Sequence, residues 1–177
     1  MQERVRIEGE GVTLRPLLVE DLEPLITAYS ASDRTIVPVT PDPGRLKARV
    51  ERSGMMIDGA LDLGIEVDGR LIGAIQTYVP TTRSLPLGSF EVGIAVHDLA
   101  DRGRGYGTEA FAMFVDWLFD TAGADRVQAL TAPDNVAMRR VLERLGFTEE
   151  ESIRELDLDF VPYAMTSERW HHTNRDR

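Results

Sequence analysis

The residues of this chain best placed to do chemistry together are consecutive: Arg102, Gly103, Arg104, Gly105, Tyr106, Gly107 and Thr108, directly before an apolar segment, EAFAMFVDWLF, patterned as a helix. Glycine accepts φ > 0 without steric cost, so backbone N–H groups can converge into a concave nest. A helix N-terminus adds unpaired N–H groups and partial positive charge, and Arg102 and Arg104 add cations at the rim. Together these make an anion site suited to a phosphate or pyrophosphate. A glycine-rich turn with surface arginines is the plain alternative. Two other phosphate motifs fail. Gly105-Tyr106-Gly107-Thr108-Glu109-Ala110 fits G-x-G-x-x-A. However, HDLADRG separates Val96 from the first glycine, the later strand RVQALTA ends without an acidic residue for a ribose, and the upstream half is rich in hairpins. A P-loop needs Gly-Lys-Ser/Thr, which does not follow.

Composition narrows the classes. The chain has 177 residues and no cysteine, so disulfides, thiolate catalysis and cysteine metal sites are excluded. Of the three histidines, His97, His171 and His172, two lie in the closing WHHTNRDR, which reads as a frayed end rather than a metal site, and no metal is expected. A net charge of −10 argues against a nucleic-acid binder, which needs a basic face. It fits a cationic or amine substrate weakly. No signal peptide and no apolar run of membrane-spanning length are present, so the expectation is a cytoplasmic protein without a membrane partner.

The elements that must position the glycine stretch follow from patterning. GVTLRPLL (11–18) reads as a strand ended by Pro16, and VEDLEPLITAYSAS (19–32) as a helix with Leu22, Leu25, Ile26 and Tyr29 in a stripe. Residues 33–44 hold three prolines and read as a loop. RLKARVERSG is a second helix. LDLGIEV and RLIGAIQTYV flank Asp68-Gly69, a strong hairpin signal. A loop at 81–88 leads to the strand SFEVGIAV (89–96), then the glycine stretch, a helix to about Ala122, and a strand at 126–132. DNVAMRRVLERLGF has Asp134 or Asn135 as N-cap and Gly146 as stop. TEEESIRELDL and DFVPYAMTSERW read as two last strands. A hairpin-linked half plus one βαβ-like crossover predicts an α+β, mixed-sheet fold.

Four stretches, in order, resemble one family. Arg102-x-x-Gly105-x-Gly107 after FEVGIAV resembles the acetyl-CoA pyrophosphate loop of the GNAT superfamily of N-acetyltransferases, and NVAMRRVLERLGF resembles its N-x-x-[AS]…LGF helix. GVTLRPLLVEDLEPL and VPYAMTSERW resemble the opening and closing motifs of its ribosomal-protein acetyltransferase (RimJ/RimL-like) branch. The resemblance spans about 11–170 and implies one domain over 1–177, with 171–177 a flexible tail. The implied fold is a mostly antiparallel sheet of about seven strands with one splayed pair, flanked by about four helices. The implied activity is acetyl transfer from acetyl-CoA to a primary amine of a peptide or protein N-terminus or a small molecule, by direct attack in a ternary complex. A homodimer stays open.

By resemblance, the cofactor contacts are the loop Arg102, Gly103, Arg104, Gly105, Tyr106, Gly107 and Thr108, the backbone of Ile94 and Val96, the side chain of Asn135, and Arg139 or Arg140 near the nucleotide phosphate. For Asn135 the rival role is helix N-cap, and for the arginines solvated surface charge. On SFEVGIAV, Phe90, Val92, Ile94 and Val96 share one face, with Glu91, Gly93 and Ala95 on the other. The small residues there would let a narrow ligand arm approach the backbone, or would simply pack under a helix. Glu91 is the candidate general base, its rival role being an ion pair with an arginine. The family's usual proton donors are a Tyr and a Ser, and their positions hold Leu142 and Met138. Tyr106, Tyr78 and Tyr163 are the remaining phenols. An acyl-CoA-binding or sensing domain with weak catalysis therefore stands as the alternative. The acceptor would be set by the loops at 33–44 and 81–88.

Overall fold

In the computed structural model, residues 4–30, 42–80 and 83–174 are described, the side chains of Tyr29 and Ser30 excepted. Most of the 33–44 loop and the first two residues of the 81–88 loop therefore lie outside the described residues, as does the chain beyond Asn174. Nine strands and five α-helices among the described residues make a mixed α+β fold. The chain divides into two compact units, 1–77 with 94–114 and 78–93 with 115–177.

The first unit holds an antiparallel array in chain order: β1 (Ile7–Glu8), β2 (Thr13–Arg15), β3 (Leu61–Val67) and β4 (Arg70–Tyr78). Asp68 and Gly69 take positive φ, 50° and 75°, and close the β3–β4 hairpin expected from their sequence. Alternate residues of β3 are fully buried at Leu61, Leu63 and Ile65. A 3₁₀ turn at Val19–Asp21 leads into α1 (Leu22–Ser30), and α2 (Pro43–Arg52) follows with Asp42 as N-cap. Pro24 falls in the first turn of α1, where it costs no helical hydrogen bond. Leu17, Leu25 and Val50 form a core cluster with Leu22 and Leu71 packed on it, whereas Ile26, expected inward, is exposed. The opening L-R-P…E-D motif has a physical reason. Buried Arg15 donates to both oxygens of Asp21, at 2.7 and 3.2 Å, and to Glu66, while Asp21 also accepts from the Leu18 N–H.

β5 (Ser89–Val96) serves both units. Its last residues meet β4, where the His97 N–H donates to the Ile72 carbonyl at 2.8 Å. Its first residues, Ser89 to Glu91, pair in parallel with Arg126 to Gln128 of β6 (Arg126–Thr131). Between β5 and β6 the chain forms α3 (Tyr106–Asp120). Phe111, Phe114, Val115 and Leu118 of α3 are fully buried, as their spacing predicts.

In the second unit β6 pairs with the antiparallel β9 (Leu158–Thr166) along its whole length. α4 (Val136–Arg144) follows β6 and stops at Gly146, which takes φ 86°. Two endings differ from the sequence reading. The stretch read as one strand from Thr148 is two, β7 (Thr148–Glu149) and β8 (Ile153–Glu155), both antiparallel to β9. The break faces Pro162, which has no N–H to give a ladder; its carbonyl accepts from the Glu150 N–H at 2.8 Å. Strand β9 ends at Thr166, which caps α5 (Ser167–Thr173). The His171 and His172 region, expected to be a frayed tail, is therefore helical. Trp170 is buried there, its Nε1–H donating to Asp116 at 2.6 Å, and His171 Nε2 lies 2.7 Å from Asp120.

Candidate active site

The glycine loop is built from its entry. Arg70, the first residue of β4, donates two hydrogen bonds of 2.9 and 2.8 Å to buried Asp101, and this pairing holds the Asp101 carboxyl below its ordinary range. Asp98 caps the 3₁₀ turn Leu99–Asp101 by accepting from the Ala100 N–H. Arg102 Nε then donates to the Val96 carbonyl at 3.1 Å, closing the loop back onto β5. Gly103 and Gly105 take φ of 72° and 89°, and nothing lies within 4 Å of where a Cβ at either would sit. The loop is thus an open, left-handed turn that only glycine adopts cheaply. The first helical bond of α3 runs from the Glu109 N–H to the Gly105 carbonyl, so the N–H groups of Tyr106, Gly107 and Thr108 belong to the unpaired first turn. The Arg104 guanidinium lies 5.4 Å from the Tyr106 ring centre and is exposed.

Backbone groups of alternate strand residues point to the same edge. His97 and Ala95 address β4, so the N–H and C=O groups of Ile94 and Val96 face the opposite edge. The Val96 carbonyl there is the one that accepts from Arg102. The first unit thus brings together Ile94, Val96 and the whole loop from Arg102 to Thr108. His97, next to this edge, is pushed down to about 4, by burial first and then by the charges of Arg49 and Arg102, and is neutral at neutral pH.

Glu91 lies in the second unit and is only 1% exposed. Its parallel register with Gln128 sets the two side chains side by side on one face. Gln128 Nε2 donates to Glu91 Oε2 at 3.0 Å, and Arg83 Nη2 donates to the same oxygen. Arg83 Nε donates to Glu155 at 2.9 Å. The Tyr78 phenol is also hydrogen-bonded to Glu91, and its pKa is pushed up, by burial first and by the Glu91 charge second. What covers Glu91 is Arg83, from the 81–88 loop. Glu91 is therefore ion-paired, the rival role named above. Arg83, Gln128 and Glu155 are invisible to sequence patterning, because no local period links positions 83, 91, 128 and 155.

Asn135 and Arg139 belong to a separate cluster of the second unit. Asn135 caps α4, its Oδ1 accepting from the Met138 N–H at 3.2 Å, which leaves its amide N–H groups for a ligand. Arg139 is held by internal hydrogen bonds. All three of its nitrogens donate internally, to Tyr163 Oη at 3.1 Å, Pro133 O at 3.2 Å and Glu149 at 3.1 Å. Tyr163, fully buried, has the carboxylates of Glu149, at 2.9 Å, and Glu143, at 3.1 Å, as acceptors for its single phenolic proton. Leu142, at the family's Tyr position, is a fully buried core residue.

A cavity of about 310 Å³ opens beside the Glu91 network. Its lining includes Glu150, Glu151, Ile153 and Pro162, from the break between β7 and β8 and the strand facing it, and Arg83, Arg126 and Gln128. Arg126 donates to both oxygens of Glu150, at 2.8 and 2.7 Å, and to Gln128 Oε1 at 2.7 Å. Gln128 thereby links the Arg126–Glu150 pair to Glu91. Among the described residues, no group of three acidic or histidine side chains is placed to hold a metal, and no helix is long and apolar enough to cross a membrane.

Comparison with known proteins agrees with this architecture. The probable N-acetyltransferase YjcK of Bacillus subtilis (strain 168) is 31% identical over 90 residues, 50% of this chain and 47% of that protein, so the match spans about half of the relative's length. Among solved structures, AAC(6')-Ib in complex with parmomycin and acetyl-CoA superposes with a TM-score of 0.81 at 20% identity, covering 95% of this chain and 100% of that one. Mycobacterium smegmatis RimJ in complex with CoA-disulfide gives 0.73 at 23% identity, covering 94% and 87%. The family model for the acetyltransferase (GNAT) domain matches residues 12–148, more than half of the sequence, and the chain belongs to the GNAT acetyltransferase family.

Proposed function

We propose that the protein is an acetyl-CoA-dependent N-acetyltransferase of the RimJ/RimL-like kind. The observation that carries this is the glycine loop: two left-handed glycines with open space where side chains would be, at the N-terminus of α3 and next to an edge of β5 that offers the backbone of Ile94 and Val96. The nest, the helix N-terminus and exposed Arg104 suit a pyrophosphate. The fold neighbours carrying acetyl-CoA or CoA-disulfide support the choice of ligand, and YjcK supports transfer to nitrogen.

Bound acetyl-CoA supplies an activated acyl group. The amine nitrogen forms the new C–N bond, the C–S bond breaks, sulfur leaves with the electron pair and takes a proton, and the amine loses one. Backbone N–H groups on the Ile94–Val96 edge hold the thioester carbonyl. Glu91, a carboxylate oriented by Arg83, Gln128 and Tyr78, receives the proton that the amine loses, through water.

Glu91→Gln keeps the shape and removes the charge. A loss of about 10²–10⁴ in kcat/KM is expected, with acetyl-CoA affinity unchanged and the deficit shrinking at high pH, where more amine is already deprotonated. Wild-type turnover in this variant near neutral pH would make Glu91 a structural residue. A second reading has its own support: Glu91 is buried against an arginine, and Leu142 and Met138 carry no proton to give. It is an acyl-CoA-binding domain with little turnover. Tight acetyl-CoA binding without thiol release from any amine would favour it.

A further inference from the structure

Resting on the acetyl-CoA reading, we infer that two carboxylates, Asp101 and Glu109, are positioning residues that hold the two ends of the glycine loop in place for the pyrophosphate. Without that role their placement is contradictory. An anion nest is weakened by nearby carboxylates, yet Asp101 immediately precedes the loop and Glu109 immediately follows it. Each is engaged by donors of the protein, all within the first unit. At the entry, Asp101 is only 3% exposed and accepts two hydrogen bonds from the Arg70 guanidinium, of 2.9 and 2.8 Å, one on each oxygen. Arg70 opens β4, so this pair fastens the loop to the sheet. At the exit, Glu109 Oε1 accepts from the backbone N–H groups of Gly11, at 2.7 Å, and Val12, at 3.3 Å. These belong to the turn between β1 and β2, which the Gly9 N–H closes by donating to the Val12 carbonyl at 2.9 Å. A Cβ at Gly11 would lie 2.9 Å from Glu109 Oε2, and one at Gly9 would collide with Met113 Sδ, so glycine at both is what lets the turn come down onto α3.

The nest needs such anchors. Gly103 and Gly105 have open space where side chains would be, so no packing at these positions fixes the turn. A glycine turn free at its ends loses its conformational freedom when the ligand binds, and affinity falls by that amount. A turn fastened at both ends has already lost it on folding. The donors also offset the unwanted charge: the Arg70 cation counters Asp101, and two N–H dipoles counter Glu109. Anchoring and charge then make opposite predictions. Removing a carboxylate only as a charge would tighten the binding of an anion, whereas removing an anchor weakens it.

Calorimetric titration of the whole protein with coenzyme A and with dephospho-coenzyme A, which keeps the pyrophosphate and lacks the 3′-phosphate, tests this directly. Asp101→Ala and Glu109→Ala should each weaken both ligands by the same factor, at least about tenfold, the value of one charge-assisted hydrogen bond. Glu109→Gln loses the charge but keeps an oxygen that the Gly11 and Val12 N–H groups can reach, and should bind close to the wild type. Gly11→Ala keeps the charge and crowds the carboxylate off the turn, and should weaken binding as Glu109→Ala does. If Asp101→Ala does not fold by circular dichroism, the Glu109 and Gly11 variants decide. Unchanged or tighter binding in a folded alanine variant, equal affinities of Glu109→Ala and Glu109→Gln, or a loss confined to coenzyme A with dephospho-coenzyme A unaffected would each overturn the inference. The two claims fail separately. A wild-type protein that binds neither ligand would remove the acetyl-CoA reading itself. Wild-type binding together with any of the three contrary results would remove the positioning role and leave that reading standing.

Discussion

At the scale of single residues, the account rests on conformations and charges that few substitutions preserve. Gly105 has φ 89° with open space around its absent side chain. Strain, not a clash, is therefore what a β-branched residue would introduce. Gly105→Val should abolish acetyl-CoA binding in calorimetry while leaving the fold intact by circular dichroism; retained affinity would remove the nest from the cofactor site. His97 makes a pH prediction. Its ordinary value is 6.5 and the folded protein holds it at about 4, so the unfolded chain binds the extra proton between those limits. Stability is then fully present above about 6.5 and falls as pH drops toward 4, by up to about 1.4 kcal/mol per pH unit. Denaturant titrations between pH 7 and 5 should show this slope, and His97→Gln should flatten it.

At the scale of elements, much of the positioning framework was legible and part was not. The α3 stripe was, because Phe111, Phe114, Val115 and Leu118 recur at helical spacing. Phe114 is fully buried, so Phe114→Ala should cost about 3–5 kcal/mol in chemical denaturation, and an unmoved midpoint would contradict its place in the core. The Asp68-Gly69 hairpin and the Asn135 cap were legible because their turn chemistry is local. The last helix was misread as strand continuation, although Thr166 followed by Glu168 in the first turn is a readable N-terminal signal. The division into β7 and β8 was hidden, because its cause, Pro162, lies on the facing strand. The glycine loop announced itself through three glycines and two arginines in sequence. The surroundings of Glu91 did not. Gln128 meets Glu91 only because β5 and β6 run parallel in register, and Arg83, which also holds Glu155, reaches it from a loop. The same long-range logic pairs Arg139 with Tyr163 and Glu149, partners that its helix position does not reveal.

At the scale of the whole molecule, the chain passes between its two compact units at 77/78, 93/94 and 114/115, in each case inside an unbroken element, β4, β5 and α3. Neither unit can be released by cutting a linker, so calorimetry should show a single cooperative transition, as a one-domain protein does; two resolved transitions would argue for independent units. The central claim is that this GNAT family member moves an acetyl group from acetyl-CoA to an amine. Its most direct test is release of the coenzyme A thiol by the purified protein across amino acids, peptides, polyamines and aminoglycosides, with the acetylated amine identified by mass spectrometry. The account predicts thiol release that needs both acetyl-CoA and an amine, with one thiol per amide formed, and that is lost in Gly105→Val. Binding of acetyl-CoA with no amide from any amine, or no binding of acetyl-CoA at all, would contradict it.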